Sequence, residues 1–143
     1  MKNILVTLEL DDTEAPILDA VQELAIALDA KVWLLHIAEP DPDFVGYTVG
    51  PQYIRDVRAS ELRNDHKGLQ KYVSILKDKG VKADGLMISG PTIEMIMEES
   101  KKLDIDLIVT GQHDRSFLYK AFVGSVSSGI IKKSTIPVMM VPI

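Results

Sequence analysis

Five short apolar runs, each followed by polar or helical sequence, constrain the fold of this chain more than any other feature. The first is Ile4-Leu5-Val6-Thr7-Leu8 and the second Lys31-Val32-Trp33-Leu34-Leu35-His36-Ile37. The third spans Ala83 to Ser89, the fourth Asp106 to Thr110, and the fifth is Pro137-Val138-Met139-Met140-Val141. None shows the alternation of a strand with one wet face. Such runs read as strands buried on both faces, as in a parallel sheet. The stretches between them carry helical spacing. Leu18, Val21, Leu24, Ala25 and Leu28 mark one helix, and Leu62, Leu69, Val73 and Leu76 the inner face of a long one from Tyr53 to Lys79. Gly80 is suited to end that helix. Ile93, Ile96, Met97, Ser100 and Leu103 mark a third helix, and Val126 to Lys133 a fourth. Strands that alternate with helices predict an α/β fold, a five-stranded parallel sheet with helices on both faces. In such a sheet ligands bind beyond the carboxyl ends of the strands, where the strand order reverses. Glu9, Ile37, Gly90 and Gly111 all fall at strand ends on that rim.

At 143 residues the chain is expected to form one domain over 1–143. A domain of this size can bury roughly two thirds of its unfolded surface, so it needs no covalent staple. It holds no cysteine, which excludes disulfides and thiolate metal sites. The net charge of −5 argues against nonspecific nucleic-acid binding, which needs a basic surface. No apolar stretch is long enough to span a bilayer, and Met1-Lys2-Asn3 leads straight into a strand without a signal-peptide pattern. The expectation is a cytoplasmic protein with neither a membrane nor a nucleic acid as partner.

Two local features qualify the outline. Asp11 and Glu14 have the spacing of a capping box at the first helix, although Pro16 pulls that boundary later. The segment from Glu39 to Gln52 contains Pro40, Pro42, Gly46, Gly50 and Pro51 and reads as a long surface loop.

The chemistry concentrates in the last third. Leu107-Ile108-Val109-Thr110 runs into Gly111-Gln112-His113-Asp114, and after nine more residues comes Gly124-Ser125-Val126-Ser127. Glycine at a strand end admits close approach of a ligand. Gly-Ser at a helix start offers unpaired N–H groups and a hydroxyl to a phosphate. The two serines serve equally well as helix caps. His113 reads as a solvated loop histidine, His66 as an exposed one, and His36 as a structural histidine held by backbone. The chain lacks Gly-Lys-Ser/Thr and Gly-x-Ser-x-Gly, and no catalytic nucleophile or base can be identified. The pair Asp11-Asp12 resembles a receiver-domain metal site only in position. The third and fifth strands end Ser89-Gly90-Pro91 and Val141-Pro142, without the Asp and the Lys-Pro that such a site needs.

The strand–helix order and the glycine loop resemble the universal stress protein family over essentially all 143 residues. The family pattern is a glycine, two residues, a second glycine, nine residues, then Gly-Ser or Gly-Thr. Gly111, Gly124 and Ser125 fit it. Leu35-His36-Ile37, Asp106-Leu107-Ile108-Val109 and Pro137-Val138 are further marks. The resemblance implies strand order 3-2-1-4-5, the adenine nucleotide alpha hydrolase-like fold, and a homodimer. In one branch it also implies ATP or AMP, with Mg²⁺, bound across the strand ends. There a carboxylate after the first strand meets adenine or ribose, and backbone ending the second strand reads adenine. The glycine motif holds ribose and phosphates. On this chain the positions are Glu9, Ile37, Gly90, Gly111, Gln112, His113, Asp114, Gly124, Ser125, Val126 and Ser127.

Two positions depart from that branch. Glu9 stands where Asp is usual, and Asp114 stands where the second glycine belongs. Aspartate tolerates a left-handed backbone, yet it brings a negative charge toward the phosphates. Like charges about 4 Å apart cost roughly 1 kcal/mol in water and about 4 kcal/mol at an effective dielectric of 20. A bound Mg²⁺ would reverse the sign and make Asp114 a ligand. The sequence therefore carries one enzymatic expectation, a phosphotransferase that uses Asp114 with a metal, and two non-enzymatic ones: a homodimeric adenine-nucleotide module, or a member that has lost ATP and works as an interaction dimer. For either, the apolar run Val138, Met139, Met140 and Val141 is the expected dimer edge, because pairing covers an exposed strand.

Overall fold

A computed structural model describes residues 1–38, 52–112 and 124–143. It contains β1 (Asn3–Thr7), α1 (Ala15–Leu28), β2 (Lys31–Ala38), α2 (Gln52–Asp78), β3 (Lys82–Ser89) and α3 (Thr92–Lys102), then β4 (Leu107–Gln112), α4 (Gly124–Lys133) and β5 (Val138–Pro142). All strand pairs are parallel, in the order β3-β2-β1-β4-β5. This is the expected order, and apart from the start of α1 each element lies within two residues of its sequence reading. Of the segment read as a loop, all but Gln52, which opens α2, lies outside the described residues.

Two apolar layers sandwich the sheet. On one face Ile4, Val6, Val32, Leu34 and Val109 meet Ile17 and Val21 of α1 and Leu69, Val73 and Leu76 of α2. On the other, Leu5, Leu35 and Ile108 meet Ile96 of α3 and Ile130 of α4. Alternate residues of a single strand thus enter opposite cores, as the pleat requires, and this is why the strands read as unbroken apolar runs.

Three helices stop in the same way. At α2, Gly80 takes φ +86°, its N–H donates to Lys77 O (3.0 Å), and the Val81 N–H donates to Leu76 O (3.0 Å). This is a Schellman motif. Asp29 (φ 50°) ends α1 with Ala30 N–H on Ala25 O, and Asp104 (φ 50°) ends α3 with Ile105 N–H on Ser100 O. In each case the next residue (Ala30, Val81 or Ile105) is buried and leads toward the following strand. The motif therefore aims the chain back into the sheet.

The start of α1 departs from the capping-box reading. The helix begins at Ala15, with Pro16 in its first turn, and Glu14 holds the cap position without making a side-chain cap bond. The Asp11 carboxylate instead accepts from the Thr13 N–H (3.2 Å) and the Thr13 hydroxyl, closing a local turn. Pro16 at the second helical position fixes the boundary three residues later than an Asp11 cap would.

Candidate functional site

Strand order fixes where a pocket forms. From β1 the chain crosses to β2 on one side, whereas β4 lies on the other, so the connections diverge beyond the carboxyl ends of β1 and β4. A pocket of about 250 Å³ opens there. Thr7 of β1 lines it with Leu8 and Glu9 just beyond that strand, as do Leu35, His36 and Ile37 of β2 and Thr110 and Gly111 of β4. Thr92 and Ile96 of α3, Val126 and Ser127 of α4, Asp11, Glu14 and Ile17 near α1, and Ile143 complete the wall.

Five of the residues singled out from sequence thus meet on one wall: Glu9, Ile37, Gly111, Val126 and Ser127. Gly90 follows β3 and Gln112 ends β4 without lining the pocket; Thr92, two residues after Gly90, does line it. Gly124 and Ser125 open α4. His113 and Asp114, the latter with its expected metal role, lie outside the described residues.

Polar contacts knit the pocket floor. The Thr7 hydroxyl donates to the Thr110 hydroxyl oxygen at 3.0 Å, bridging β1 and β4. The Ser127 hydroxyl donates to the Gly111 carbonyl at 3.3 Å, so it ties α4 to β4 rather than capping its own helix. His36 is buried, and its Nδ1 lies 2.8 Å from Leu8 O. A carbonyl can only accept, so Nδ1 carries the proton. This is the backbone-held histidine that the sequence suggested. Its Nε2 lies 3.4 Å from a carboxylate oxygen of Asp65 on α2. His66 is exposed, as expected.

Glu14 is the residue that sequence reasoning placed but misread. It is 1 % exposed. Its carboxylate turns back to accept from the N–H groups of Leu10 and Asp11, and from the Tyr72 hydroxyl at 3.1 Å. Leu10 (φ 63°) and Asp12 (φ 66°) take left-handed conformations here. Successive N–H groups in such a turn form a concavity for an anion, and the chain fills this one with its own carboxylate. Burial pushes the Tyr72 phenol up to about 12, and the Glu14 charge and hydrogen bond act in the same direction.

Gly111 also has a local reason to be glycine. A Cβ there would sit 2.7 Å from the Ile143 side chain and 2.8 Å from that of Ile17. The backbone beyond β5 holds Ile143 in place, since its N–H donates to Gln112 O at 3.0 Å. The lining carries Glu9, Asp11 and Glu14, with no lysine or arginine among the described residues. Its charge suits hydroxyl and amine donors at this end of the site better than phosphates.

A doubly covered parallel sheet in this order, with a pocket at its switch point, is the adenine nucleotide alpha hydrolase-like fold. The chain belongs to the universal stress protein family, whose model matches residues 1–142. It is 29% identical to the universal stress protein YxiE of Bacillus subtilis over 143 residues, 96% of this chain and 97% of that one. A solved universal stress protein in complex with cAMP superposes with TM-score 0.73 at 18% identity, over 99% of this chain and 96% of the other. A universal stress protein from Archaeoglobus fulgidus in complex with dAMP gives TM-score 0.71 at 19% identity, over 99% and 98%.

Proposed function

We propose that this chain is a cytoplasmic, homodimeric adenine-nucleotide-binding module of the universal stress type. The observation that carries the reading is the convergence of Glu9, Ile37, Gly111, Val126 and Ser127 on one pocket at the switch point. These positions are the ones the family resemblance assigns to the nucleotide. Relatives of the same fold solved with cAMP and dAMP support an adenine ligand. In this reading Glu9 accepts from ribose or adenine, the backbone at Ile37 meets the base, and the phosphates extend toward the 113–125 segment. Among the described residues no cluster of acidic or histidine side chains is arranged to hold a metal. In this reading Mg²⁺ enters with the phosphates, with Asp114 as its protein partner. β5 pairs with its copy to form the dimer. Nucleotide occupancy changes the surface that the dimer presents to partners.

A second reading, an interaction dimer without ATP, draws support from the same pocket. The wall carries three carboxylates, and Ile17 and Ile143 crowd Gly111 where a ligand would approach. Calorimetric titration with ATP separates the two readings, using protein stripped of co-purified nucleotide, with and without Mg²⁺. The nucleotide reading expects micromolar binding that Mg²⁺ strengthens. It also expects Asp114→Gly to tighten nucleotide binding modestly and to weaken its dependence on Mg²⁺, because a like charge near the phosphates is removed. No wild-type binding at millimolar ATP, with binding gained in Asp114→Gly, establishes the second reading. Equal, tight, metal-independent affinity in both proteins would sink the electrostatic argument.

A further inference from the structure

Glu9 lies between two residues whose backbones are each tied to α2 through a buried side chain. On its N-terminal side, the Leu8 carbonyl accepts from His36 Nδ1 at 2.8 Å, and His36 Nε2, which donates to Asp65 only in the doubly protonated ring, faces that carboxylate at 3.4 Å. On its C-terminal side, the Leu10 and Asp11 N–H groups donate to Glu14, whose other carboxylate oxygen accepts from Tyr72 at 3.1 Å. Asp65 and Tyr72 are seven residues apart on α2, which is two turns, roughly 10 Å along one face of the helix. Leu8 is also pinned by its own N–H, which donates to Leu35 O at 2.9 Å. Leu10, a bulky residue at φ 63°, would not hold that conformation without the bonds that over-determine it.

We propose that α2 clamps the Leu8–Asp11 segment through the pairs Asp65–His36 and Tyr72–Glu14, and so positions Glu9 in the pocket. Asp65, His36, Glu14 and Tyr72 are positioning residues. A ligand that shifts or steadies Glu9 has both links through which to act on α2, and any change in α2 returns to the pocket by the same route. Such coupling is reciprocal. The ligand half of the proposal rests on the nucleotide reading above. The clamp itself is a property of the ligand-free chain and can be tested there.

The variants are Tyr72→Phe, Asp65→Asn and their double, each a small change at a partly exposed helix position. The first measurement is residue-resolved amide hydrogen exchange without ligand. The clamp expects Tyr72→Phe to speed exchange at Leu10 and Asp11 about fivefold, the effect of one ordinary hydrogen bond, with β1, β4 and α3 amides unchanged. Asp65→Glu, which keeps the carboxylate, should restore what Asp65→Asn loses. The second measurement is calorimetry with AMP, where each single variant weakens affinity about threefold to tenfold and the double weakens it more than either. Wild-type exchange at Leu10 and Asp11 in the double variant, or acceleration spread evenly over the whole chain, would overturn the clamp. Altered loop exchange with unaltered AMP affinity would overturn its role in positioning Glu9. If the wild type binds no adenine nucleotide, the nucleotide reading fails, and loop exchange alone decides the clamp.

Discussion

Tyr72 gives the residue-scale consequence of burying Glu14. The phenol's ordinary value is near 10, and in the folded chain it rises to about 12 through burial and the adjacent carboxylate. A value raised by folding fixes the sign of the pH effect. Below about pH 10 the phenol is neutral in both states, and its stabilising contribution is complete. Between about 10 and about 12 the unfolded chain ionises first and stability falls, until the contribution is lost above the folded value. Urea unfolding from pH 9 to 12 should show this component in the wild type and lack it in Tyr72→Phe. Ultraviolet titration should find a late phenol that moves back toward 10 in Glu14→Gln. This contact marks the boundary of what the sequence made legible at the site. Glu9, Ile37 and Gly111 could be read because a glycine spacing and strand ends announce them. The Tyr72–Glu14 bond joins residues 58 apart, and no local pattern links the two. The capping-box spacing pointed at the right bond in the wrong setting: the Glu14 carboxylate accepts from the Asp11 N–H, but in the turn before α1 rather than within its first turn.

Element ends repeat one solution with different residues. Gly80, Asp29 and Asp104 all hold left-handed conformations beneath a buried residue that re-enters the sheet. The sequence exposed the first of these because glycine after a helical pattern is a standard stop. It concealed the other two because aspartate on a polar surface reads as simply solvated. The strands, by contrast, were legible to within two residues because burial on both faces leaves an unbroken apolar run. The comparison yields a test. No atom lies within 4 Å of a Cβ built at Gly80, so a side chain there costs only its backbone strain. Gly80→Ala should destabilise the chain by about 1 kcal/mol. Gly80→Asn should cost less, because its amide tolerates the left-handed region that Asp29 and Asp104 already occupy. Denaturant midpoints at constant slope measure both, and an Ala variant as stable as Asn would refute the conformational account.

At the scale of the whole molecule, the sheet has one end that its own helices do not explain. β5 closes the order β3-β2-β1-β4-β5 and pairs with β4 from Val138 to Pro142. Val141 is buried, whereas Met140 is 36% exposed and Val138 and Met139 are half-buried. The strand carries no charged side chain, and among the described residues Pro142 at its end is its one sequence-level protection against edge pairing. Pairing with a second copy would remove the hazard, and the two-fold relation would bring each Met140 near its counterpart. Met140→Lys then places like charges across the joint while leaving the core residue Val141 untouched. Sedimentation velocity should show a dimer for the wild type and a folded monomer for the lysine variant, with unchanged far-ultraviolet circular dichroism. Because Ile143 follows this strand and packs over Gly111 in the pocket wall, the same variant also reports on whether edge and pocket act together. Nucleotide affinity that falls with the loss of the dimer would join them. An unchanged affinity in a monomer would make the pocket complete within one chain, and a wild type that sediments as a monomer would leave β5 a free edge and overturn the dimer.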